Sequence, residues 1–204
     1  MENYKKNLEL LTKNHVYSKE MEHDACGVGL IASTEGKKSR AIVEYGIEAL
    51  KAVWHRGAVD ADGKTGDGAG IHVEIPKDFF IEKIQVTGHD YDNSEICVGM
   101  IFLPRNDYSA QESCKTIVES ELTKNNFSIY GWRQVPVNPK VLGEKALQTM
   151  PEIIQVLFKS NDPNLLDKNL ERKIYETRKR IENKAFDASL NNFYICSISS
   201  KSII

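Results

Sequence analysis

At 204 residues the chain has room for one large domain or two small ones. Its 41% apolar and 27% charged residues exclude a disordered chain, a collagen-like chain and a disulfide-dense miniprotein. The 27 Lys and Arg against 29 Asp and Glu leave a net charge of -2, unlike the basic balance of a dedicated nucleic-acid binder.

Residues 1–25 are polar and mixed in charge, weakly helical around Leu8, Leu10 and Leu11, and lack the apolar core of a signal peptide. No later stretch approaches the roughly 20 apolar residues of a membrane span. The chain is therefore expected in the cytoplasm. An ordered pattern begins at Cys26: Val28, Leu30 and Ala32 alternate with Gly27, Gly29 and Ile31, predicting a strand whose glycines let backbone approach a neighbour. Ile42, Tyr45, Gly46, Ala49, Leu50, Val53 and Trp54 recur at three- and four-residue spacing, predicting a helix from about Arg40 to Trp54. A glycine-rich loop, His55–Gly70, then feeds a short strand, Ile71–Ile75, that Pro76 closes. A second strand, Ile96–Leu103, stops at Pro104, and a helix with Cys114, Ile117, Val118 and Leu122 on one face follows it. Phe127–Val135 reads as a strand, Leu170, Ile174, Thr177 and Ile181 as one face of a helix, and Phe193–Ser199 as a late strand. The expected class is α+β with a layered sheet core. Trp54 and Trp132 are expected as core anchors, and Arg178-Lys179-Arg180, flanked by Glu171, Glu176 and Glu182, as a solvated helix face.

The loop DGKTGDGAG resembles a phosphate-binding loop only superficially. Five residues separate Gly57 from Gly63 where the motif needs four, and the loop leaves a helix to enter a strand, the reverse of the polarity that points helix N–H groups at phosphate. A dinucleotide fingerprint would need glycine at Ile71, and a calcium loop would need an oxygen ligand at Lys64. What remains is a tight glycine turn whose acids bond backbone amides.

Cys26, Cys97, Cys114 and Cys196 form no C-x-x-C pair, so zinc-ribbon and ferredoxin-type readings lack their spacing. Cys97, Cys114 and Cys196 sit in apolar stretches and read as reduced, buried thiols. Cys26 differs: it lies between a polar leader and a Gly-rich strand, where its sulfur would be accessible. On residues alone it is either a nucleophile, with His23 or His55 as base, or a structural cysteine.

The order of motifs then matters. DACGVGLIA, HRGA, DADGKTGDGAGI, IPKDFF, VGMIFLP, GWRQVPV, ERKIYETRKRIE and FYICSISS resemble the start of glutamate synthase large subunits, which is a class II, N-terminal-nucleophile (Ntn) glutamine amidotransferase domain. The likeness runs from about Asp24 to the last residue. It implies an Ntn-hydrolase-like four-layer αββα sandwich over 26–204, incomplete at its C-terminal end, preceded by a leader over 1–25. It also implies cleavage between Ala25 and Cys26, after which the freed α-amine, with an ordinary pKa near 8, serves as general base for its own thiol. No histidine is then needed, and His23 leaves with the leader. The thiolate would attack the side-chain amide of glutamine, and the ammonia would be added to 2-oxoglutarate at a distant site. Arg56 matches the family's Arg-Gly motif, implying a part in substrate binding or in holding the site's polar network. A cation at the end of the Arg40–Trp54 helix is its other reading. Asp67 either shapes the pocket wall or belongs to the turn.

The family's later features are missing: the chain has no Asn-Gly pair for an oxyanion hole and no RYST-like segment to grip glutamine. The FMN and iron–sulfur cluster of a full glutamate synthase would belong to other domains, so no cofactor or metal is expected in this chain. The glutaminase is accordingly expected to be incomplete alone and to partner the remaining glutamate synthase polypeptide. A non-catalytic binding or regulatory module, and a self-sufficient thiol hydrolase, are the competing readings.

Overall fold

In the computed structural model of the chain the residues described are Lys6, Glu9, Leu10, Thr12, Lys13, 27–54, Gly57, 59–66 and 68–204. Helix α1 spans Arg40–Ala52 and is followed by strand β1 (Val73–Glu74) and helix α2 (Lys77–Val86). Then come β2 (Cys97–Leu103), α3 (Tyr108–Lys124), β3 (Phe127–Gln134), a 3-10 turn at Pro139–Val141, α4 (Glu144–Thr149) and β4 (Glu152–Ser160). Helix α5 (Asp167–Asp187), β5 (Tyr194–Ser199) and β6 (Ser202–Ile203) complete the order.

The α+β expectation holds, with every strand pair antiparallel. A four-stranded sheet has the order β3-β4-β2-β5, and a two-stranded ribbon joins β1 to β6. The chain crosses from β2 to β3 through α3, and from β4 to β5 through α5, so each helix bridges two parallel strands separated by a third. This is a split βαβ connection used twice. Of the expected αββα layers, the described residues hold a helix layer, the four-stranded sheet and the ribbon of a second sheet.

Side-chain alternation sorts the core into two faces. On β2 and β4, Cys97, Ile101, Leu103, Ile154, Val156 and Phe158 point to one side, where they meet Cys114, Val118 and Leu122 of α3 and Leu170, Ile174 and Ile181 of α5. Val98 and Leu157 point to the other side and meet Phe80 and Ile84 of α2, Ile75 and Ile203. Burying each such side chain stabilises the fold by about 1.5–3 kcal/mol. The helix faces over 114–122 and 170–181 are thus those that the spacing predicts. Glu121, 5% exposed, faces α5, where Lys184 pairs with it alongside Lys124 at 3.5 Å.

Two strands each carry one extra residue. Between Ile129 and Gly131 the register of β3 shifts, and Gly131 takes a φ of +149°, open to glycine. Tyr130 consequently faces the α2 side while Trp132 turns to the helix side, half-buried, and donates its Nε1–H to Glu119 at 2.6 Å. A shift at Met100/Ile101 makes Cys196 the extra residue of β5, so it is only half-buried, a correction to its expected burial.

Other expectations change as well. Residues 27–33 form no strand, and Val28 and Leu30 are 93% and 89% exposed. A strand exists only through ladder partners, and among the described residues none lies beside this segment. Gly29 faces open space rather than a close neighbour. Strand β4 and helix α2 have no counterpart in the sequence reading. Arg178 is not simply solvated: it donates to Glu182 at 2.6 Å and to the Ile195 carbonyl of β5 at 2.8 Å.

Phe158 is fully buried, edge-on to Phe127 with ring centres 5.3 Å apart. Phe158→Ala is expected to lower unfolding free energy by about 3–5 kcal/mol in a urea titration, whereas Trp54→Ala should stay within about 0.5 kcal/mol. Asp92 accepts from Tyr130 Oη at 3.0 Å and Ser94 N at 3.2 Å and pairs with Lys159. The Lys159 ammonium foremost, with the Ser94 and Tyr130 hydrogen bonds, holds its carboxyl well below the ordinary value of 3.8. A depressed folded value stabilises above the unfolded one and loses that contribution as pH falls through and below it. With its side chain 46% exposed, Asp92→Asn is expected to cost at most about 1 kcal/mol at pH 7. That difference should shrink below pH 3.8, as urea titrations across pH will show.

Candidate active site

The residues to which the sequence assigns chemistry, Ala25, Cys26 and Arg56, lie outside the described residues, as do His23, His55 and Asp67. What the structure describes is the frame around them. Helix α1 begins where the extended Ser39 accepts from Ile42 N at 3.4 Å, satisfying one of the helix's orphan donors. It gains an i,i+4 pair between Arg40 and Glu44 and ends with Lys51 in the last turn, favourable to the helix dipole. No residue of α1 is buried. Trp54, expected as a core anchor, is 77% exposed, because no described sheet face lies under this helix. The Gly57 N–H donates to the Trp54 carbonyl at 3.0 Å.

The glycine-rich loop then closes on itself. Val59 bridges Gly66, Asp60 N donates to the Thr65 carbonyl at 2.7 Å, and Gly63 N donates to the Asp60 carbonyl at 2.9 Å. The acids bond amides, as expected of a tight turn. Asp60 Oδ1 accepts from Ala61 N at 2.5 Å, and Asp62 Oδ1 accepts from Lys64 N at 2.9 Å and Thr65 N at 2.7 Å. The Thr65 hydroxyl donates to Asp62 Oδ2 at 2.5 Å and is the largest of the influences that hold the Asp62 carboxyl well below the usual carboxylate range. A carboxylate so occupied is a structural acceptor, not a proton donor or base near neutral pH. The loop also touches α4: Lys145 Nζ pairs with Asp60 Oδ2 at 2.6 Å. Sequence reasoning offered no sign of that contact, since neither Gly143 nor Lys145 belongs to a motif.

The three described cysteines are poor nucleophiles. Burial pushes the Cys97 thiol far up, with the Glu171 and Glu95 carboxylates adding to the effect. Burial also pushes Cys114 up to about 11 and raises Cys196, which Arg178 partly offsets. All three are thiols at neutral pH, and the thiolate is the reactive form. No group of three His, Cys, Asp or Glu among the described residues converges to hold a metal ion.

Two concavities indent the described surface. An apolar groove of about 430 Å³ between Phe102, Pro139, Leu142 and Met150 has no titratable residue in its wall, so it offers no acid or base. The other lies at the start of α5, where two acids are engaged. Asp167 meets Lys201 at 2.9 Å, and Glu171 accepts from Ser199 Oγ, Ser200 N and Ser200 Oγ at 2.7–2.9 Å.

A family model described as class-II glutamine amidotransferases matches residues 26–204. The large chain of an NADPH glutamate synthase from Azospirillum brasilense is 52% identical over 201 residues, covering 98% of this chain and 13% of that protein. A ferredoxin-dependent glutamate synthase from Pyropia yezoensis is 39% identical over 200 residues, covering 96% and 13%. A chloroplastic ferredoxin-dependent glutamate synthase from Spinacia oleracea is 38% identical over 186 residues, covering 90% and 11%. The chain spans 11–13% of the length of these curated relatives. With 26–204 matched and the α+β architecture in agreement, the chain belongs to the class-II glutamine amidotransferases, a family of Ntn-hydrolase fold.

Proposed function

We propose that this chain is the start of the glutaminase of a glutamate synthase, with Cys26 as nucleophile. The observation that carries this is where the family match opens: it begins at residue 26, so the cysteine heads the matched domain, which supports reading residues 1–25 as a leader. Cleavage after Ala25 creates an α-amine with a pKa near 8, which takes the thiol proton directly or through water. The thiolate adds to the carbonyl carbon of the glutamine side chain. The C–N bond breaks, ammonia leaves with the transferred proton, and water hydrolyses the thioester to glutamate. Burial raises the Cys97, Cys114 and Cys196 thiols and leaves them poor candidates for this role. Arg56 binds the substrate or braces the new terminus.

On this reading the ammonia passes to 2-oxoglutarate on the remaining glutamate synthase polypeptide, the partner of this chain. FMN and iron–sulfur chemistry belong there, and the glutaminase step needs no cofactor. Exposed apolar side chains at Val28, Leu30 and Trp54 suit a surface that meets more protein. No helix among the described residues is long and apolar enough to cross a membrane, and we place the enzyme in the cytoplasm.

Two measurements test the proposal. Intact-mass analysis of a glutaminase-active preparation is expected to show a chain beginning at Cys26, and an active form that keeps Met1–Ala25 would overturn the α-amine as base. Cys26→Ser is expected to lower glutamine hydrolysis by roughly 10³-fold or more while ammonia-dependent glutamate formation persists. Cys97→Ser should leave the hydrolysis rate within about twofold at unchanged folding. Equal losses in the two variants would remove Cys26 from the mechanism.

A further inference from the structure

Helix α4 starts without a side chain to cap it. Its N-cap residue is Gly143, extended at φ -73° and ψ 165°, and a helix start leaves N–H groups that need an acceptor. The Asp62 carboxylate of the glycine-rich loop lies against that start. Thr65 lies against the same spot. A Cβ placed on Gly143 would come closer than 3.0 Å to Thr65 Oγ1, Asp62 Oδ2 and Thr65 N. The φ of Gly143 suits any residue, so space, not backbone strain, demands glycine here. At the other end of the turn, Lys145 Nζ holds Asp60 Oδ2 at 2.6 Å.

We propose that Gly143 and Lys145 are positioning residues: they clamp the Asp60–Gly66 turn, which follows the HRGA motif in sequence, onto α4. The clamp stands on the geometry, and its role at the glutamine site rests on the function proposed above. Gly143 is the main element, because it admits the loop to contact distance. The Lys145–Asp60 pair has exposed partners and adds less.

Hydrogen exchange tests the clamp directly. The Asp60 and Gly63 amides bond only within the loop, so their exchange reports its closure. Gly143→Ala and Asp62→Ala, made on opposite sides of the contact, should each speed that exchange about tenfold or more while the Met100 and Ile101 amides of β2 stay protected. Lys145→Ala should speed it about two- to fivefold, and Lys145→Arg should restore the slow rate. In the complete glutaminase, labelling of Cys26 by a diazoketone analogue of glutamine should slow about tenfold in Gly143→Ala, with labelling by iodoacetamide unchanged. Unchanged Asp60 and Gly63 exchange in both loop-contact variants overturns the clamp. Faster exchange with an unchanged ratio of the two labelling rates overturns its role at the site. A wild-type enzyme that ignores the analogue while exchange responds as stated overturns the proposed glutaminase, and with it the site role, and upholds the clamp.

Discussion

Antiparallel pairing of β2 with β4 is the constraint from which the rest of the fold follows. Seven consecutive residue pairs, from Cys97 opposite Phe158 to Leu103 opposite Glu152, lie at the centre of the sheet with a further strand on each side. Because side chains alternate, this one register decides which residues face α3 and α5 and which face α2 and the β1–β6 ribbon. A slip of β4 by one residue would turn Gln155, Leu157 and Lys159 toward the helices in place of Ile154, Val156 and Phe158, putting two polar side chains against that face. The helices in turn depend on each other through Glu121, whose nearly buried carboxylate requires the Lys184 ammonium.

The two bulges adjust that register where the outer strands need it. In β3 the extra residue sends Tyr130 toward Asp92 and Lys159 and brings Trp132 round to Glu119 of α3. In β5 it keeps Ile195 and Ile198 both on the helix side despite their odd spacing, at the expense of exposing Cys196 in part. Past the second bulge, Ser199 and Ser200 are caught by Glu171, and the chain leaves the sheet to pair β6 with β1. His72 Nε2 and Ser202 Oγ meet at 2.7 Å beside that pairing. The ribbon thus anchors the far end of the glycine-rich loop, and α4 anchors its middle. The described part of the loop is thus held by other elements on two sides.

The buried cysteines of the described structure serve packing. Burial on β2 and α3 costs Cys97 and Cys114 their ionisation, so they serve only as small apolar side chains. Among the described acids of the loop, Asp60 and Asp62 are engaged by its own amides, the Thr65 hydroxyl and Lys145.

Several features are determined by sequence alone. The helix faces at 114–122 and 170–181, the strands at 97–103, 127–134 and 194–199 and the tight turn at Asp62 follow from local spacing and local hydrogen bonding, which short stretches of chain specify. The motifs from Cys26 to the closing FYICSISS likewise carry the family, because the identity of side chains at a reactive site is itself sequence. Strand β4 was missed since Ile153–Phe158 is a near-continuous apolar run, bounded by Pro151 and Asp162-Pro163, in which burial on both faces erases alternation. The strand expected at 27–33 and the anchoring of Trp54 failed for the opposite reason: their patterns are correct locally, but a ladder and a core need partners distant in sequence. The order of strands, the two bulges, the pKa of each thiol and the seating of the loop on Gly143 were decided only by tertiary structure. They depend on which surfaces meet, and no local pattern records a contact between residues 62 and 143.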